Sequence, residues 1–189
     1  MGSWVIIAII VAAALYLALA YNSLVRMRNA VENGWRQIDV QLKRRHDLIP
    51  NLAEAVKGYM QFERDTLTQV VEARNRAVAA PSQQARVQAE NQLTAGLGRL
   101  FALMENYPQL KSDQNVLQLQ EQLTTTENQI AFARQAYNDA VLELNNRIEI
   151  FPSNFIADHF GFHPADYFTA PAEDQALPKV DLSLSAPRV

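Results

Sequence analysis

Residues 41–52 read QLKRRHDLIPNL: three consecutive cations, a His-Asp pair, and a proline inside an otherwise helical pattern. Whether a helix stops here or runs through decides the architecture, because apolar periodicity lies on both sides. Leu24, Val31, Ile38, Leu52 and Tyr59 fall on one seven-residue series, and Trp35, Leu42, Ile49, Val56 and Val70 on the adjoining one. Arg28, Arg45 and Glu63 interrupt them. The phase survives Pro50, since Ile49, Leu52 and Val56 keep the 3-4 spacing. Proline removes one helical hydrogen bond and crowds the carbonyl four residues back, so the expectation is a kinked but continuous helix, with Pro50 at the kink.

Working toward the amino terminus, WVIIAIIVAAALYLALAY runs from Trp4 to Tyr21, and no Asp, Glu, Lys, Arg or His precedes Arg26. As a helix it measures about 27 Å, close to a hydrocarbon core of about 30 Å. Trp4 and Tyr21 close its ends, where amphipathic aromatics sit in bilayers, and Arg26 and Arg28 are placed to meet headgroups. Ala18-Leu19-Ala20 resembles a signal-peptidase site, but the apolar run lacks a basic stretch before it, so residues 1–22 are expected to be a transmembrane anchor. Arg26, Arg28 and Arg36 follow the span and nothing basic precedes it except the amino terminus. The positive-inside rule then places the amino terminus outside and the remainder in the cytoplasm.

Working outward the other way, the first helix is expected to end near Ala79-Ala80, where Pro81-Ser82 offers a stop and an N-cap. A second helix carries Val87, Leu93, Leu97, Leu100, Phe101 and Met104 and stops around Asn106-Tyr107-Pro108. A third begins near Ser112-Asp113 with the cleanest heptad, Val116, Leu123, Ile130, Tyr137, Leu144 and Phe151; Val141 and Ile148 join on a neighbouring position. Trp35 and Leu42, with Leu123, Ile130, Tyr137 and Leu144, are the expected helix seam. At 1.5 Å per residue the first helix would extend about 85 Å beyond the anchor, against about 36 and 58 Å for its partners. An elongated all-α antiparallel bundle results, with an apolar stripe left uncovered near the membrane and self-association as its consequence. The expected division is an anchor at 1–22, a cytoplasmic bundle at 23–151, an aromatic docking tail at 152–170 and a flexible terminus at 171–189.

Several chemistries are excluded or disfavoured. The 189 residues contain no cysteine, which removes disulfides, thiolate metal sites and thiol catalysis. A net charge of −3 gives no electrostatic footprint for nucleic acid. His46 and Asp47 are neighbours in sequence but stand about 100° apart on a helix and cannot orient each other. His159 and His163, with Asp158 and Asp166, have a metal-like spacing interrupted by Gly161 and followed by Pro164, and read better as polar tips of a packed tail. Lys43 lies about 33 Å past Tyr21, far beyond a Debye length of about 8 Å, so Lys43, Arg44 and Arg45 form a solvated face or a protein-interaction face rather than a lipid contact. No cofactor is expected.

The blocks YNSLVRMRNAVENGWRQIDVQLKRRHDLIPNLAEAVKGYM (21–60), TLTQVVEARNRA (66–77) and FPSNFIADHFGFHPADYF (151–168) resemble the LemA family of bacterial single-pass membrane proteins. QIDVQLKRRxDLIPNL is that family's hallmark. The resemblance implies an α-helical bundle with a cytoplasmic domain, no established enzymatic activity, and, through a branch associated with magnetosome membranes, a part in membrane organisation. The chain departs from the pattern at Gly34, where a small helix former is usual, and at His159 and His163. The expected function is therefore a non-enzymatic membrane-anchored scaffold. Its expected partners are the bilayer and further copies of itself, with a monomeric adaptor for a membrane protein as the alternative and an enzyme of unrecognised type as a remote one.

Overall fold

The computed structural model describes residues 2–169; the expected flexible terminus at 171–189 lies outside them. Among the described residues there are helices and no strand: α1 (Gly2–Lys57), α2 (Arg64–Val78), α3 (Gln83–Met104), α4 (Gln114–Glu149) and α5 (Ser153–His159). Short 3-10 turns occupy Gln61–Glu63 and Leu110–Ser112. α1 carries an apolar segment long enough to cross a membrane, and only 6% of that segment is buried, so it is not a core helix.

α1 runs through Pro50 without interruption. Because Pro50 has no N–H, the His46 carbonyl loses its helical donor. Arg74 on α2 replaces it, with Nε donating to the His46 oxygen at 3.1 Å. Removing the Arg74 guanidinium should therefore cost about 1 kcal/mol or more in a partly buried place. In the Pro50→Ala background a backbone N–H can take the same carbonyl, and the penalty should shrink. A double-mutant cycle read by thermal unfolding checks this; equal penalties in both backgrounds would show that the bond does not compensate for the proline.

The expected end of α1 near Ala79 is wrong. α1 stops at Lys57, and the chain reverses through Gly58, Tyr59 and Met60 before α2 begins. Gly58 follows a basic last turn, the ordinary composition of a helix C-terminus. Met60 then inserts fully into the core, so the reversal is held by apolar burial. The bundle has two antiparallel hairpin-like pairs, α1 against α4 and α2 against α3. α3 starts on Ser82, whose hydroxyl accepts from the Ala85 N–H at 3.2 Å. Asp113 caps α4 by accepting from Asn115 and Val116.

The uncovered stripe also disappears. Beyond Tyr21, α1 measures about 54 Å, and α4, with 36 residues, measures about the same. Leu24, Val31 and Ile38 are buried along it. On α4, Val116, Leu123, Ile130, Tyr137 and Leu144 are buried, whereas Phe151 is exposed because α4 ends at Glu149. Leu42 is buried, and Trp35 is half-buried against Tyr137 and Phe168, with ring centroids 5.6 and 5.9 Å away. Gly34 sits at a close approach of the pair: a Cβ there would lie 3.2 Å from the Tyr137 Cα. Side-chain absence at this position lets the helices close.

Residues 160–169 return along α4. Asn145 accepts from the Ala165 N–H and donates to its carbonyl, at 2.8 and 3.0 Å, and Asn138 does the same with Phe168 at 2.8 and 3.1 Å. Tyr137 donates its hydroxyl to the Asp166 carbonyl at 2.8 Å. Two side-chain amides thus substitute for a sheet or helix partner along an irregular segment.

Candidate functional site

The core consists of two apolar clusters. One contains Ile49, Leu52, Val56, Leu93, Leu97 and Leu123; the other contains Leu24, Val31, Ile38, Leu42, Val87 and Ile130. Between them on each of three helices stands a polar residue: Arg45 between Leu42 and Ile49, Glu90 between Val87 and Leu93, and Glu127 between Leu123 and Ile130. Arg45 and Glu90 are both 0% exposed.

Arg45 pairs with Glu90 through Nη2, and through Nη1 with Glu127 and with the Thr94 hydroxyl, the last at 2.9 Å. His46 Nε2 lies 2.8 Å from the second Glu90 oxygen. Burial alone would raise the Glu90 carboxyl; the His46 hydrogen bond and the Arg45 charge outweigh it and hold the group below its ordinary value. Arg134 lies nearby with its guanidinium over the Phe168 ring, 4.4 Å from the centroid. Among the described residues, Arg45 Nε and Arg134 Nε and Nη2 meet no hydrogen-bond partner.

Chemically this is a locking layer. A slip of α1, α3 or α4 by one turn would leave a buried charge without its counter-ion, at a cost of several kcal/mol, whereas apolar layers tolerate such slips far better. The Glu90 carboxylate, held below its ordinary value, is also wholly withdrawn from solvent. A shallow groove lined by Asp39, Lys43, His46, Val78 and Arg86 opens beside the layer.

The sequence-derived interaction face is therefore corrected at Arg45, which points into the core. Lys43 and Arg44 remain exposed. His46 meets Glu90 and not Asp47, which is exposed. At the anchor, Trp4 is exposed, Tyr21 packs on Phe160 and Phe162, and Arg28 lies 5.4 Å over the Phe162 ring, with Arg26 exposed. His159 stacks edge-on against Phe160 and His163 is exposed; among the described residues no three metal-ligating side chains come together.

Glu90, Glu127 and Arg134 were not anticipated. Their signal was positional: Glu90 lies in the apolar stripe of α3, and Glu127 and Arg134 precede Val141 and Ile148 at seven-residue steps.

Comparison with known proteins adds a relationship. The model described as the LemA family matches residues 34–182. The chain is similar to a protein named LemA from Metamycoplasma hominis, with 25% identity over 165 residues, covering 87% of this chain and 74% of that one. It is also similar to magnetosome protein MamQ 2 of Paramagnetospirillum magneticum, with 27% identity over 188 residues, covering 85% and 69%. Magnetosome protein MamQ of Magnetospirillum gryphiswaldense is 23% identical over the same coverage.

Proposed function

The chain belongs to the LemA family, and from that premise we propose that it is a non-enzymatic scaffold of the bacterial inner membrane. In this reading α1 spans the bilayer, the bundle lies in the cytoplasm, and copies associate through the bundle to organise membrane proteins or membrane shape. Relatives named as magnetosome proteins fit a membrane-organising role. The observation that carries self-association is a groove across α1 and α4 whose lining holds no charged side chain. Val40 and Phe132 are 64% and 72% exposed there, in a shared groove completed by Gln37, Gln41, Gln129, Ala133 and Ala136. An exposed aromatic beside small and amide side chains, midway along a charged bundle, suits another apolar surface better than water.

Size measurement in mild detergent tests it. The wild-type chain should form oligomers in the micromolar range, and Phe132→Glu should shift it toward monomer; monomer alone at every concentration contradicts the proposal. A second reading, a monomeric adaptor for a membrane protein, is favoured by the exposed Lys43 and Arg44 beside the groove at His46. Orientation has its own test. With Arg26, Arg28 and Arg36 following the span, a reporter fused after Val189 should behave as cytoplasmic, and its export would reverse the topology.

A further inference from the structure

The bundle ends at the level where the membrane segment begins. Gly34 touches Tyr137, and α1 and α4 are antiparallel, so equal steps along both helices bring Glu149, the last residue of α4, level with Asn22. The aromatic contacts agree: Tyr21 lies 4.9 Å from Phe160 and 5.8 Å from Phe162, centroid to centroid. Ala20, inside the apolar span, is buried.

α5 lies across this end. Ile156 and Ala157 are buried in the membrane-proximal core cluster. Ser153 fastens the helix by donating its hydroxyl to the carbonyls of Arg147 and Ile150, at 2.7 and 2.8 Å. Around it Phe151, two residues before the helix, Phe155, within it, and Phe160, immediately after it, are exposed by 74%, 67% and 55%. Phe151 and Phe155 lie edge to face, with centroids 6.0 Å apart. Three phenylalanines left this exposed beside neighbours that enter the core are unfavourable in water.

We propose that this end of the bundle is a second membrane-contact site, in which α5 lies in the headgroup layer and Phe151, Phe155 and Phe160 reach the acyl boundary. The occupant is a lipid surface because the patch is continuous with the lipid-facing helix through Tyr21, at the same level. Exposed Arg26 and Arg28 stand on the same rim and suit anionic headgroups. The inference rests on α1 spanning the bilayer. Its consequence is mechanical: two contacts, one spanning and one interfacial, fix the bundle's tilt and rotation relative to the membrane, which a single helix leaves free.

Because the chain lacks cysteine, single nitroxide labels can be placed uniquely. The full chain carries Phe151→Cys, Phe155→Cys, Leu15→Cys within the span, or Phe62→Cys at the far end, each in vesicles of phosphatidylethanolamine and phosphatidylglycerol. Collision with oxygen, which concentrates in lipid, is compared with collision with a water-soluble nickel chelate. The expected result is an oxygen-to-nickel ratio at 151 and 155 several-fold above that at 62 and approaching that at 15. Lipid-like values at 15 with water-like values at 151 and 155 overturn the inference and leave the anchor intact. Dipolar broadening at 155 without oxygen enhancement assigns the patch to a second copy and overturns it too. Water-like values at 15 remove the spanning helix and the inference together.

Discussion

Glu90→Ala should destabilise the bundle by about 3 kcal/mol or more, because it leaves the Arg45 guanidinium buried with only Glu127 and Thr94 in reach. Isothermal denaturant unfolding in detergent measures it. Glu90→Gln keeps the shape and two hydrogen-bonding atoms but removes the charge, and should lose less. The same group sets an acid limb. Its carboxyl is depressed in the fold relative to its ordinary value of 4.5, so its contribution is full above that value and is lost as pH falls through the lower folded value. Stability of the wild-type chain should drop steeply across that acid window, and Glu90→Gln should flatten the drop. An unchanged pH profile in Glu90→Gln would mean that other carboxylates govern acid unfolding.

Leu42→Ala is the second large effect. Leu42 is 2% exposed and adjoins the ionic layer in the membrane-proximal cluster, so truncation should cost about 2 to 5 kcal/mol through lost burial and a cavity that the surrounding helices cannot close. Trp35→Ala should cost less than full aromatic burial implies, since Trp35 keeps part of its ring in solvent. Thermal unfolding of the two variants ranks them. A Trp35→Ala loss exceeding that of Leu42→Ala would place the seam's energetic centre at the aromatic contacts with Tyr137 and Phe168.

The long apolar amino-terminal segment, the α-helical class and the α1–α4 seam were legible because each rests on periodicity or on uniform apolarity over many residues. The reversal at Gly58 was hidden by a coincidence: Val56 and Val70 are two heptads apart, so the apolar series keeps its phase across a break, although Gly58 after Lys57 was a local stop signal. With α1 read as too long, an uncovered stripe followed, and it vanishes once α4 is matched against the shorter helix. Arg45 falls in a charge run, which on a helix usually marks a solvated or partner-facing surface. Its place between Ile38 and Leu52 in a seven-residue series carried the opposite message, since a cation in a seam demands partners. Which carboxylates supply them depends on how three helices assemble, and no spacing along one chain segment states that. Arg74 and the His46 carbonyl illustrate the same limit: the proline announced an orphaned acceptor, and the donor lies on another helix.

In the proposed function, copies of this chain meet through the face around Phe132. Photo-crosslinking in living cells, with a benzophenone side chain placed at Phe132 and adducts identified by mass spectrometry, tests it most directly. The expected dominant adduct joins two copies of the chain, with crosslinks from Phe132 falling on α1 or α4 of the second copy. A dominant adduct to one different membrane protein, without self-adducts, would contradict it and make the chain an adaptor.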